Sequence, residues 1–413
     1  MRLSAAPFPN LKTTDACFPY LCRILSAFEE SSAACISDML RHVGDGQYLE
    51  AIRNAENFIL HVEVLFATID DLEYFFTSLG VKGASPHPPS YSFAVTPGTN
   101  HHRRLGMSHV REARVLCKKT VDLFTLLQRP SKNQNQQGGM TQELLSLVTG
   151  LAHYLKVLIR IALTAALRLD REHAQEESIP AFLESLNALL VQRGSATGRR
   201  LKDDHGQQDH KDGGVAGTRG VKYGYRSLAL EYAGDSPFWP PSPSGKPAPS
   251  TALSDMCMGC DKTIEEDCVR LGTFQRWHSH CVQCAECGRL AAPPPQPPKP
   301  RTADEKESGT RPNTVRRPPA PVHEFRFDLA PGEEILVTTF DAAEGIVRKP
   351  TNIWCVLHRR QYSRIGFQPV TRLEQYAFLL NVALRRLYLL LKKPGLIPDG
   401  PRKPLPVSFL ARN

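Results

Sequence analysis

Six residues between 257 and 287 constrain this chain more than any other stretch of it. Cys257 and Cys260 are separated by two residues, and 17 residues later come His278, Cys281, Cys284 and Cys287, each again two residues from the next. Two cysteines so spaced can bend round one ion, because a tight turn aims both sulfurs at a single point. His278-x2-Cys281 then completes a tetrahedral Cys3His shell, which suits Zn²⁺ and leaves no open coordination position, so the metal is expected to be structural. The alternative, thiols and a histidine scattered through a core, does not account for four matched gaps.

Cys284 and Cys287 need two further ligands. Downstream the candidate pair is Cys355-x2-His358, in Ile353-Trp354-Cys355-Val356-Leu357-His358. The order is then sequential: Cys257, Cys260, His278 and Cys281 for one ion, and Cys284, Cys287, Cys355 and His358 for a second. Only Val282 and Gln283 separate the quartets. A RING module would interleave its ligands and place a cysteine just before the histidine, whereas the nearest, Cys268, lies ten positions earlier. The sequential order, with Trp277 preceding the ligand histidine, resembles the LIM domain, a tandem zinc-finger module. That resemblance implies two structural Zn²⁺ ions and protein partners bound through the module.

One departure is large. By resemblance to LIM domains about 16 to 21 residues should separate the second pair from the last; here 67 intervene. Much of that stretch is polar and proline-rich, from Pro293-Pro294-Pro295 to Arg316-Arg317-Pro318-Pro319. Closing the longer loop costs only ~1 kcal/mol more, against ~10 kcal/mol from a structural zinc. The insertion is therefore tolerable if it leaves from a hairpin tip, and deleting Pro293 to Pro321 is expected to preserve the metal.

With 413 residues the chain has room for two or three domains. Of its 11 cysteines six are assigned to metal, and the other five (Cys17, Cys22, Cys35, Cys117 and Cys268) are odd in number and irregularly spaced. The first 20 residues lack a basic start followed by an apolar run. An intracellular, cytoplasmic and reducing home is therefore expected. No transmembrane segment is expected: the most apolar region, Leu144 to Leu169, is interrupted by His153, Lys156, Arg160 and Arg168. The formal charge of +9 falls to about +7 once the thiolates and two Zn²⁺ are counted. Much of the excess sits in linker-like stretches without interleaved aromatics, so nucleic acid is not expected as the principal ligand.

Apolar periodicity predicts helices over about Phe18 to Val43, Gln47 to Leu79, Val110 to Leu127, Leu144 to Leu169 and Ala181 to Val191. In the second, two adjacent stripes (Ile52, Ile59, Val62, Phe66, Ile69, Phe76 and Phe58, Leu65, Leu72, Leu79) make a face too wide for a surface helix. Five antiparallel helices would bury these faces as a bundle; a homodimeric coiled coil is the alternative. A further amphipathic helix is expected from Thr371 to Lys393, stopped by Pro394-Gly395. The expected fold class is mostly α. It combines an N-terminal helical bundle, a disordered linker, a small treble-clef-like, β-rich double zinc finger and a C-terminal amphipathic helix. The boundaries are 1–195 for the helical region, 196–254 for the linker, 255–365 for the zinc module with its insertion at 292–322, 366–395 for the helix and 396–413 for a tail. Tyr223, Tyr225, Tyr232, Phe238 and Trp239 make the linker unusually aromatic.

The segment from Cys355-Val356-Leu357-His358 through Thr371-Arg372-Leu373-Glu374-Gln375-Tyr376 and Ala383-Leu384-Arg385-Arg386-Leu387-Tyr388 resembles the region after the last LIM domain of fungal LIM–RhoGAP proteins. That resemblance implies a place in Rho-type GTPase signalling, with the GTPase-activating domain expected beyond Asn413 and this chain a fragment. No nucleotide-binding glycine loop is present, and no arginine-bearing loop of the family type was found. The expectation is thus a protein-interaction scaffold with no catalytic site, which by itself does not accelerate GTP hydrolysis. Pro294-x-x-Pro297-x-Lys299, within 293–300, has the spacing of an SH3-type ligand, a pattern that arises readily in proline-rich segments. His101-His102-Arg103-Arg104 is read as a basic loop.

Overall fold

The widest apolar face in the sequence becomes the most deeply buried helix. Five helices cover the first half of the chain: α1 (Thr14–Gly44), α2 (Tyr48–Gly80), α3 (Ser108–Leu127), α4 (Gln137–His173) and α5 (Ser178–Gln192). From Ala51 to Leu72 nearly every side chain of α2 is buried, which the two adjacent stripes require. Helices α1, α4 and α5 pack round it. The α1–α2 turn closes where Gly46 takes φ 72° and the Gln47 N–H reaches back to the His42 carbonyl at 2.7 Å, a glycine-terminated helix end.

The structure, a computed structural model, describes residues 14–80, 108–128, 137–173, 178–192, 254–271, 275–293, 319–328 and 350–397. They fall into two units: the five helices together with residues from Tyr376 onward, and Ser254–Gln375. Residues 196–253 of the expected linker, the SH3-type pattern, His101 to Arg104 and residues 398–413 lie outside the described residues.

Helix α4 bears on the expectation of no transmembrane segment. By length and composition Gln142–His173 is apolar enough to cross a membrane. Its Leu151, Leu155, Leu158, Ala162, Ala165 and Leu169 are buried, and α2, α3 and α5 are its neighbours. Only 22% of its most apolar window is buried in the structure, so packing against the bundle covers one stripe of the helix.

In the second unit, two three-stranded antiparallel sheets carry the zinc-finger sequence. The first has the order β2-β1-β6, with β1 at Cys268–Leu271, β2 at Gln275–His278 and β6 at Phe367–Pro369. The second has the order β4-β3-β5, with β3 at Arg326–Asp328, β4 at Asn352–Trp354 and β5 at Arg364–Ile365. Trp277, Phe367 and Phe327 form an edge-to-face series with centroids 5.3 and 5.9 Å apart, joining the two sheets through aromatic contact. Gly366 sits where the chain passes from one sheet to the other. A Cβ there would lie 2.8 Å from Leu271 Cδ1 and 3.0 Å from Phe327 Cε1, so only glycine fits without displacing the core.

Helix α6 (Arg372–Lys392) begins with Thr371 Oγ1 accepting the Glu374 N–H at 3.0 Å, a capped start. Its first turn belongs to the second unit. The Glu374 carboxylate lies 3.2 Å from Arg270 Nε and 3.5 Å from Nη2 of the buried Arg276. The Gln375 amide donates to the Ile264 carbonyl and accepts from the Cys268 thiol. From Tyr376 onward α6 belongs to the helical unit, where the Asn381 amide donates to the buried Glu63 carboxylate. The helix ends as its sequence predicts, with Gly395 at φ 79° and the Leu396 N–H bonded to the Leu391 carbonyl.

Between Cys287 and Cys355, residues 294–318 and 329–349 lie outside the described residues. Their flanks are tied together: the Ala320 N–H donates to the Leu290 carbonyl at 3.0 Å, and the Thr351 N–H to the Asp328 carbonyl at 2.9 Å. Residues 288–293, 319–328 and 350–354, 21 in all, remain between the ligands, a spacing at the top of the range the LIM resemblance implies. The expendable stretch is narrower than Pro293 to Pro321, because Ala320 is buried in the core.

Two outcomes follow from this packing. Gly366→Ala should lower stability by about 1–3 kcal/mol through overpacking, read as a lower denaturant midpoint. Deleting 294–318 should leave metal content and that midpoint unchanged, whereas extending the deletion through Ala320 should lower both.

Candidate metal centre

Both expected quartets assemble. The donor atoms of Cys257, Cys260, His278 and Cys281 lie within 4.8 Å of one another, and so do those of Cys284, Cys287, Cys355 and His358. In the first, His278 Nδ1 is 3.4 Å from Cys260 Sγ and 3.8 Å from Cys281 Sγ. In the second, His358 Nδ1 is 3.4 Å from Cys355 Sγ and 3.6 Å from Cys284 Sγ, with Cys287 and Cys355 sulfurs 3.7 Å apart. A tetrahedral ion bonded at ~2.3 Å to sulfur and ~2.0 Å to nitrogen would set ligand–ligand edges of roughly 3.5–3.8 Å. The donor sets fit such an ion in number, chemistry and spacing.

The two centres are built alike. The Cys257 N–H donates to the Lys262 carbonyl at 2.8 Å and the Cys284 N–H to the Arg289 carbonyl at 2.9 Å. Asp261 and Gly288, each just after the second cysteine of its pair, return an N–H to the carbonyl of the first at 2.9 and 3.0 Å. Both take the left-handed conformation, at φ 54° and 69°. Each knuckle is then tied to the strand that brings the second ligand pair. The Met258 N–H donates to the Arg276 carbonyl and the Ala285 N–H to the Ile353 carbonyl, in both cases two residues before the next ligand. A buried tryptophan precedes that ligand each time (Trp277-His278 and Trp354-Cys355), and a 3₁₀ turn spans the two-residue gap. The halves are one motif used twice, with histidine and cysteine exchanged in the closing pair.

Trp277 stands out in the sequence beside its ligand histidine, and the structure adds its counterpart Trp354 and the matched left-handed positions. The repeat W-[H/C]-x2-[C/H] carries that signal. Trp354 donates its indole N–H to the Asp328 carboxylate and lies under the Arg360 guanidinium, 4.4 Å from the ring centroid.

Outer contacts orient the imidazoles. His278 Nε2–H donates to the Thr263 carbonyl at 3.1 Å, which leaves Nδ1 unprotonated toward the sulfurs, the usual arrangement of a ligating histidine. His358 Nε2 lies 3.8 Å from the Glu286 carboxylate. Sulfurs this close disfavour shared negative charge: burial first, then the neighbouring Cys257 and Cys260 sulfurs, push the Cys281 thiol up to about 12. Burial also raises the Cys284 thiol, but the Cys287, Cys355 and Glu286 backbone and the His358 ring outweigh it and bring it down to about 6. A divalent cation among the sulfurs would relieve that repulsion.

The left-handed positions give a direct test. Gly288→Val should weaken metal retention in the second quartet by about tenfold or more, through the cost of a β-branched side chain at positive φ and the 3.2 Å approach of its Cβ to the Gln283 amide. Asp261→Gly should leave the first quartet's retention within about threefold. Chelator competition on the two variants reads both.

The comparisons place this geometry among known proteins. The chain is 29% identical over 391 residues to Rho-type GTPase-activating protein 1 of Schizosaccharomyces pombe, a match covering 93% of this chain and 24% of that protein. It is 22% identical over 270 residues to the Rho-GTPase-activating protein LRG1 of Saccharomyces cerevisiae, covering 65% of this chain and 21% of that protein. No family model and no solved structure matches. The chain spans about a quarter of the length of these relatives. Their names overturn the expectation of a scaffold with no enzyme role. That expectation rested on the helices offering no arginine-bearing loop of the family type and on the 20 residues that follow Lys393 being too few to build an activating domain. Over nearly its whole length, the chain is similar to part of the fungal Rho-type GTPase-activating proteins.

Proposed function

We propose that this chain is the zinc-bearing part of a Rho GTPase-activating protein, and that it takes part in accelerating GTP hydrolysis on a Rho-type GTPase. Residues 254–375 are a LIM-type module in this reading. One structural Zn²⁺ is held by Cys257, Cys260, His278 and Cys281, and a second by Cys284, Cys287, Cys355 and His358. The module serves protein–protein contact. The cytoplasm is the compartment in which its thiolates stay available to metal. The observation that carries the reading is the doubled knuckle geometry, in a chain matched over 93% of its length to a named Rho-type activator.

The chemistry assigned to the metal is structural. Each ion has four protein ligands, which leaves no position for a reacting water. Acceleration of phosphoryl transfer instead demands positioning and neutralisation of developing phosphate charge, work for side chains of the activating protein and its partner GTPase.

Single-turnover hydrolysis on a panel of GTP-loaded Rho-type GTPases tests this. With the purified chain present, hydrolysis on at least one member should exceed its intrinsic rate by about tenfold or more, and Cys281→Ser should remove most of that gain. Intrinsic rates on every GTPase, together with no measurable binding to any, would overturn the proposal.

A further inference from the structure

The second quartet carries an exposed face that metal binding does not use. Leu357, Tyr362 and Ile365 are 65%, 77% and 57% exposed, and Val356 is 38% exposed. They lie within ten residues of chain, on three rigid supports. Leu357 is in the 3₁₀ turn between the two donors Cys355 and His358. Tyr362 is at the tip of a tight turn closed by the Ser363 N–H and Oγ–H, both donating to the Arg360 carbonyl at 3.2 and 2.7 Å. Ile365 is on β5, an edge strand of its sheet. Large apolar side chains this exposed and this firmly held mark an interaction surface.

Along this stretch of chain the charge has one sign. From Thr351 to Leu373 the sequence holds Arg359, Arg360, Arg364 and Arg372 and no aspartate or glutamate. Arg359 and Arg360 are exposed and Arg364 half-buried. Arg372 is engaged elsewhere, with Glu266 and Asp267. An acid does approach from the other knuckle, Glu286 beside His358, and a Zn²⁺ with three thiolates would add a net charge of about −1 behind the turn. Asp328, bonded to Trp354, adds a third negative charge, which Arg326 at the Ser363 carbonyl offsets, so Arg359, Arg360 and Arg364 outweigh the remaining two. Arg360 lies over the Trp354 ring, which fixes its guanidinium beside the turn.

We propose that this tip, formed by Leu357, Tyr362 and Ile365 within Arg359, Arg360 and Arg364, docks on an anionic lipid bilayer. The apolar side chains enter the boundary between headgroups and acyl chains, where tyrosine is at home because its ring is apolar and its hydroxyl wet. The arginines meet the lipid phosphates, each raising partitioning by about fivefold. An acidic protein segment would satisfy the arginines too. The membrane is favoured because a highly exposed tyrosine stands beside exposed aliphatic side chains and arginines, the combination that a headgroup boundary accommodates. The inference goes beyond the GTPase reading and does not depend on it.

The test is sedimentation of the intact, metal-loaded chain with phosphatidylcholine vesicles, with and without phosphatidylserine. Basic stretches elsewhere in the chain will attract anionic vesicles by charge alone, so the decisive arm is the apolar triple variant Leu357→Ser, Tyr362→Ser, Ile365→Ser. It should lose about tenfold or more of the binding to anionic vesicles with metal content unchanged. The charge variant Arg359→Ser, Arg360→Ser, Arg364→Ser should lose about a hundredfold. If the apolar triple loses metal, Tyr362→Ser alone, outside the knuckle, carries the test with a loss of about threefold or more. Wild-type binding by the apolar variant, or equal binding to neutral and anionic vesicles, would overturn the proposal. So would loss of binding to a polyglutamate peptide in both triples with vesicle binding retained, which would assign the tip to an acidic protein.

Discussion

Cys287 and Cys355 stand 68 positions apart in the chain, and their sulfurs are 3.7 Å apart. The second unit depends on that closure. Its strands are two to four residues long, and sheets this small bury too little apolar surface to hold themselves together. A metal that binds only the assembled site contributes its binding free energy to folding, on the order of 10 kcal/mol. Against that, the entropy of closing 67 intervening residues is small because it grows only with the logarithm of their number. Long polar insertions and a minimal fold are therefore compatible.

The doubled motif explains how so little sequence builds two centres. Each knuckle aims two sulfurs inward through a left-handed residue, and a hydrogen bond to the carbonyl two residues before the next ligand sets its distance from the hairpin. Val282, buried in the short spacer between the quartets, binds the halves into one core with Trp277, Phe325, Phe327 and Phe367. The two metal sites are therefore mechanically coupled: distortion at Cys281 reaches Cys284 through a spacer with no slack.

Much of this was legible in the sequence, for identifiable reasons. Ligand spacing is a local geometric requirement, so both quartets could be read from the two-residue gaps. The buried faces of α2 and α4 could be read because apolar periodicity survives over many turns. Strands β3 and β4 could not. Three residues each, embedded in a polar and proline-rich run, give no alternation to detect, so one long insertion was read where 21 described residues lie between the ligands. The membrane-like composition of α4 is a different case, since composition reports apolarity and only packing reports what covers it. The expectation of no catalytic role came from reasoning on a missing motif, and the names of the relatives point the other way.

Native mass spectrometry of the purified chain tests the central claim most directly. The account predicts a mass two zinc ions above the metal-free chain, with all six ligand cysteines protected from alkylation until a chelator is added. A single zinc, with Cys355 and the Cys284–Cys287 pair alkylated at the rate of exposed Cys22, would contradict it.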